Sequence, residues 1–140
     1  MASRSLSDLD PIARELCMKW IGACHTEGID VLVYCTYRDE AEQNSLYAEG
    51  RTKPGKISTN AKGGESFHQY RCAWDCVPVV NGKAQWGAKD TYKRMGELAK
   101  QFGIEWAGEW VSFKETAHFQ VTKGMKLADF KAGKTLSLIA

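Results

Sequence analysis

The chain has 140 residues, 44% hydrophobic and 26% charged, with a formal net charge of +2. That size and balance fit one globular domain with one core, and five Trp, five Tyr and five Phe exclude a disordered chain. So small a charge does not argue for nucleic acid, where a basic stripe is expected, yet it would not repel an anionic polymer.

No apolar run approaches the roughly 20 residues of a membrane span, so no membrane insertion is expected. The segment from Met1 to Asp10 has Arg4 but no apolar stretch behind it and does not read as a secretory signal. The expectation is a cytosolic product that something else must let out if it acts beyond the membrane. The cysteines, Cys17, Cys24, Cys35, Cys72 and Cys76, are odd in number and show no CxxC pair. They read as buried or half-buried thiols rather than a disulfide framework or a structural metal site.

Asp10-Pro11 reads as a helix start, with Asp as N-cap and Pro at the first helical position. Ile12, Leu16 and Trp20, with Ala13, Cys17 and Cys24 beside them, give that helix one apolar face, and Gly28 ends it. Ile29 to Tyr34 is a β-branched and apolar run, short enough for a buried strand. Asp39 to Ala48 reads as a second helix, capped by Asp39 and stopped by Gly50. Residues 51–64 carry Pro54, Gly55, Gly63, Gly64 and four basic residues, Arg51, Lys53, Lys56 and Lys62. This is a loop, and one so long in a compact domain is usually functional. Cys72 to Val80 reads as a strand, Asn81-Gly82 as a hairpin turn, and Asp90 to Phe102 as a third helix closed by Gly103. Ile104 to Trp106 and His118 to Val121 are short strands, and Lys123 to Ala140 a weakly patterned tail. The order predicts an α+β fold, a small antiparallel sheet with flanking helices, rather than a doubly wound parallel sheet.

Two of the three histidines stand out. His68 follows the glycine-bearing loop, and Asp75 comes seven residues later inside an otherwise apolar strand. A carboxylate there is expensive to bury without a partner, and a bound cation would remove that cost. His118 again leads into a strand. Two imidazoles and one carboxylate form a catalytic zinc set that leaves the fourth position for water. Glu115, three residues before His118, is placed to act as general base. Taken singly, either histidine is more often a packed or surface residue than a ligand. His25, late in the first helix, reads as surface.

The segment Ser66-Phe67-His68-Gln69-Tyr70-Arg71-Cys72-Ala73-Trp74-Asp75 resembles the Ser-x-His-x-x-Gly-x-Ala-x-Asp signature of the zinc D-Ala-D-Ala carboxypeptidase and L-alanyl-D-glutamate endopeptidase family. That family shares its fold with hedgehog signalling domains. Glu115-x-x-His118 resembles its second signature. The stretch from Thr36 through Arg38 and Gln43 to Arg51 looks like its Tyr-Arg segment, and Glu105 to Phe113 like the stretch before its last ligand. The blocks keep their order from about residue 10 to 122 of a single catalytic domain, 1–140. One position departs: Arg71 stands where the signature has Gly, a residue whose backbone angles Arg resists. The turn must then be accommodated differently, or the groove altered.

The resemblance implies one zinc ion per chain held by His68, Asp75 and His118, with Glu115 as base and Arg38 steadying the oxyanion. Gln43 and Ser66 match the family and are expected to position other groups. Trp106 and Trp110 either line a groove or pack at its rim or in the core. The implied protein is a phage-type endolysin that cuts the peptidoglycan stem peptide at L-alanyl-D-glutamate. It would be a monomer held in the host cytoplasm until a holin-type pore admits it to the wall. Three other readings stand beside this one: a D-alanyl-D-alanine carboxypeptidase, a zinc-holding wall-binding module without turnover, and a thiol hydrolase using Cys72 with His68. The retained Glu115 argues against the binding module, and strand alternation from His68 argues against Cys72.

Overall fold

Asp10 caps the first helix, α1 (Pro11–Thr26), its carboxylate accepting from the Ile12 N–H at 2.9 Å. A computed structural model describes residues 2–111 and 114–139. The stripe of α1 that is fully buried is Ala13, Cys17, Trp20 and Cys24, whereas Ile12 and Leu16 are only partly covered at its flank. Trp20 sets this roll. Its ring packs on Phe119 and Trp74 at centroid distances of 4.5 and 6.0 Å, and its indole N–H donates to the Met95 carbonyl at 2.9 Å.

Strand β1 (Asp30–Cys35) runs antiparallel to β2 (Ala73–Val80). The apolar run suggested a buried strand, but β1 ends the strand order and leaves Leu32 46% exposed. Its register slips between Val33 and Cys35, which brings Cys35 opposite Asp75. Helix α2 (Glu40–Ala48) is capped by Asp39, which accepts from the Glu42 N–H. Strand β3 (Lys83–Ala84) returns beside β2 through Asn81 and Gly82, both at positive φ, as a primed hairpin turn requires. Helix α3 (Lys89–Lys100) is followed by β4 (Glu105–Trp106) and β5 (His118–Gln120). The pairings within the sheet are antiparallel, in the order β1-β2-β5-β4 with β3 beside β2.

Strand alternation then sorts the side chains. Trp74 and Phe119 point toward α1 and α3, where the Tyr92 hydroxyl donates to the Cys76 carbonyl. Asp75, His118 and Gln120 point to the opposite face.

The stretch after Lys123 is more ordered than its sequence suggests. It forms α4 (Leu127–Lys131) and α5 (Leu136–Ile139), and buries Phe130 and Leu136. Phe130 packs on Phe67 and Tyr70 at 5.6 and 5.7 Å. Each helix is too short to show a period, so one apolar anchor apiece is all the signal there is.

Arg71 keeps the turn that a glycine would make. It follows a 3-10 turn, Phe67–Tyr70, with φ 63 and ψ 25, in the left-handed region. That conformation costs a non-glycine residue about 1–2 kcal/mol. The guanidinium offsets part of it by lying 3.9 Å over the Tyr37 ring and donating to the Asp8 carbonyl at 3.0 Å.

Gly96 in α3 lies against the Trp106 ring, which a Cβ there would overlap. Helix propensity alone predicts that Gly96→Ala stabilises by about 1 kcal/mol. Overpacking reverses the sign, and the expected outcome is a loss of about 1–3 kcal/mol, read from the denaturant midpoint. A raised midpoint would show that Trp106 can move aside.

Candidate active site

Three elements converge on one carboxylate oxygen. Asp75 on β2 pairs directly with His118 on β5. His68 arrives from the 3-10 turn, whose N-cap Ser66 accepts from the His68 N–H at 3.3 Å while Gln69 reaches back to the Ser66 N–H at 3.0 Å. Asp75 Oδ1 lies 3.3 Å from His68 Nε2 and 3.3 Å from His118 Nδ1.

The far side of each ring is already committed. His68 Nδ1 lies 2.7 Å from the Thr36 carbonyl, which can only accept, so this nitrogen carries the proton. His118 Nε2 lies 2.8 Å from Gln120 Oε1 and donates to it as the amide is placed. Both rings therefore turn a lone pair toward an anionic oxygen. Three electron-rich atoms at such distances need a cation between them, which is either a metal ion or a proton. The donor set, two imidazole nitrogens and one carboxylate oxygen, fits a divalent metal.

Without a metal the proton takes that place. Burial disfavours charge on His68, but the Asp75 carboxylate and its hydrogen bond outweigh it and raise the imidazole from 6.5 to about 10. Burial likewise opposes charge on Asp75, and the two histidines overcome it, holding the carboxyl well below the usual range.

Arg38 fixes the other oxygen of this carboxylate. Its guanidinium donates to Asp75 Oδ2 at 3.4 Å and to Gln43 Oε1 at 2.8 Å. Gln43, fully buried in α2, in turn donates to the Ala61 carbonyl at 2.8 Å. The loop is pinned again by Arg51, which stacks 3.8 Å over Tyr47 and donates to the Tyr47 and Thr59 carbonyls. Glu115 leaves its carboxylate about half exposed, with Oε2 3.8 Å from His118 Nδ1.

The site opens onto a groove of about 620 Å³, lined by Arg38, Ser66, His68, Asp75, Trp110, Glu115 and His118 among others. Trp110 lines this groove, its ring 5.7 Å from His118. Trp106 instead stacks on Phe119 and donates to the Thr116 carbonyl. Ser112 and Phe113, in the stretch matched before the last ligand, lie outside the described residues. His25 stays exposed and pairs with Asp30.

Three participants were not singled out from the sequence: Thr36, Gln120 and Cys35. The ligand atoms of Cys35, His68 and Asp75 lie within 4.8 Å of one another. The Cys35 thiol, however, sits 3.8 Å from His68 Nδ1, the nitrogen turned to Thr36, and accepts from Arg38 at 3.4 Å. It backs the histidine rather than facing the Nε2 lone pair, so His118 completes the set better than Cys35 does. Cys72 is fully buried and makes its contact with the Phe67 carbonyl, and burial pushes its thiol up to about 12. It is no nucleophile for His68 to activate.

A family profile described as D-alanyl-D-alanine carboxypeptidase matches residues 59–121, a span holding Ser66, His68, Asp75, Glu115 and His118. The peptidoglycan L-alanyl-D-glutamate endopeptidase CwlK of Bacillus subtilis is 36% identical over 124 residues, 82% of this chain and 74% of its own. The chain belongs to this peptidase family. Solved members share its fold. The L-Ala D-Glu endopeptidase ChiX of Serratia marcescens superposes with a TM-score of 0.65 at 21% identity, covering 87% of this chain and 89% of its own. The vancomycin-resistance D,D-pentapeptidase VanY, in complex with Zn(II), gives 0.64 at 17% identity, covering 93% and 82%.

In chelator-treated protein His68 should titrate near pH 10, followed by NMR of its ring protons. Because the folded value is raised, its stabilisation is full below the unfolded value, about 6.5. It is lost as pH rises through the folded one. Titration near pH 6.5 would mean that Asp75 does not hold the proton.

Proposed function

We propose that this chain is a zinc-dependent peptidase that cleaves the L-alanyl-D-glutamate bond of the peptidoglycan stem peptide. The observation that carries the reading is that His68 Nε2 and His118 Nδ1 both face one oxygen of Asp75 in the lining of an open groove. His68, Asp75 and His118 would hold the ion, His68 through Nε2 and His118 through Nδ1. Zinc bound there would polarise a scissile carbonyl and acidify water.

The chain's own groups supply the rest. Glu115, with a half-exposed carboxylate at the groove, takes a proton from the attacking water and passes it to the leaving amine. Arg38 presents a guanidinium beside Asp75, where negative charge develops on the substrate oxygen, and Gln43 holds it there. Ser66 caps the turn that carries His68.

The family profile is described for a carboxypeptidase, which keeps D-alanyl-D-alanine release as the second reading. The identity to CwlK over most of both chains favours the endopeptidase. Digestion of purified peptidoglycan separates them by the ends released. New N-terminal D-glutamate is expected, whereas free D-alanine would move the assignment to the carboxypeptidase. Glu115→Gln should keep one zinc per chain and lose about 10²- to 10⁴-fold in rate. An undiminished rate in that variant would remove Glu115 from the chemistry.

The endolysin role, with release from the host cytoplasm through a holin-type pore, rests on the sequence resemblance. Expressed in a bacterium, the protein should lyse the culture only when a pore-forming protein is co-expressed. Lysis without the pore would refute dependence on it.

A further inference from the structure

Tyr34 on β1 lines the groove together with Asp75. It also meets Trp86 edge to face, with ring centroids 5.2 Å apart at 73°. Trp86 is 59% exposed, and Leu32, two residues before Tyr34 on the same strand, is 46% exposed. The link that carries Trp86 between β3 and α3 is tied down. Gln85 N–H donates to the Pro78 carbonyl at 2.8 Å, and Ala88 N–H donates to the Gln85 carbonyl at 3.3 Å. An ordered backbone thus presents a large indole to solvent next to the groove, where it contributes little to the core.

We propose that Tyr34 and Trp86 form a sugar subsite that receives the N-acetylated hexose to which the stem peptide is attached. The inference rests on the peptidoglycan reading above and adds where the glycan lies. In peptidoglycan, L-alanine is joined directly to the lactyl group of that sugar. The scissile bond is then a single residue away, and one residue spans at most about 3.6 Å. An enzyme cutting that bond in sugar-bearing wall therefore holds the sugar in or beside its groove. A pyranose offers an apolar C–H face rimmed by hydroxyls, which suits an amphipathic aromatic platform.

The two sides of the groove also differ in the way the two ends of the substrate do. In the sheet, β1 with Tyr34 lies on one side of β2 and β5 with His118 on the other. On the His118 side, Lys114 and Glu115 face residues 57–60. These belong to the stretch that carries Arg51, Lys53, Lys56 and Lys62. Lys114 there can meet the anionic D-glutamate portion, and the aromatic pair on the β1 side suits the glycan.

The test compares wild type and Trp86→Ala on two substrates that share the scissile bond: a disaccharide tetrapeptide from digested wall, and the same tetrapeptide with an N-acetyl group in place of the sugar. Trp86→Ala should lose about three- to tenfold in kcat/KM on the sugar-bearing substrate, chiefly through KM. It should match wild type on the sugar-free one, and Trp86→Phe should recover part of the loss. Equal losses on both substrates, or none on either, would overturn the subsite. A second readout needs no turnover. The peptide-free disaccharide should shift the Trp86 indole N–H resonance in wild type, assigned by its absence in Trp86→Phe. If wild type cleaves neither substrate but the shift is seen, the peptidase reading fails and the sugar site stands. If the shift is absent as well, both fail.

Discussion

The antiparallel pairing of Asp75 with His118 is the constraint on which the site depends. It puts a carboxylate among apolar strand neighbours and sets one imidazole directly across from it, while a capped turn brings the second from another direction. Burying an ionised carboxylate without compensation costs several kcal/mol, so the arrangement is stable only with positive charge at its centre. A proton shared with His68 meets that need in the metal-free chain, and the donor set is equally suited to a divalent ion. The same local energetics that make Asp75 awkward in a strand make it useful.

Around this centre the supporting contacts serve geometry more than net stability. Thr36 and Gln120 each take one ring proton and so choose the tautomers. Arg38 holds the second oxygen of Asp75. Gln43 links Arg38 to the Ala61 carbonyl and so ties the guanidinium to the wall of the groove. Arg71 adds a further link, since its left-handed backbone lets the chain leave the His68 turn and enter β2 in register. The stacking on Tyr37 and the bond to Asp8 tie that strained residue to segments N-terminal to the site.

Much of the scaffold was legible because short-range chemistry decides it. Asp10-Pro11, Asp39 and Asn81-Gly82 announce a helix start, a cap and a hairpin, and each forms as expected. Other features were not legible. The roll of α1 follows Trp20, whose partners lie on β2, β5 and α3, far off in sequence. The short helices after Lys123 carry one buried anchor each, too little for a periodic signal. The edge position of β1 follows from strand order, which an apolar run does not encode.

For the site, the sequence by itself determined the residue types and the order of the blocks. The spacing of Ser66, His68 and Asp75, and of Glu115 and His118, is set along the chain, and it was enough to point to the peptidase family. Tertiary structure decided what those residues face. Cys35 looked like four other thiols until the register of β1 against β2 set it opposite Asp75, beside Arg38 and His68. Trp106 and Trp110 were equivalent in sequence, yet one fills the space over Gly96 and the other lines the groove. The His68 tautomer depends on Thr36, which becomes a partner only when the end of β1 meets the turn that carries His68, whereas Gln120 lies two residues from His118 on β5 itself. The physical reason is the same in each case: residue chemistry is local, but burial, direction and charge pairing are properties of what the fold places alongside.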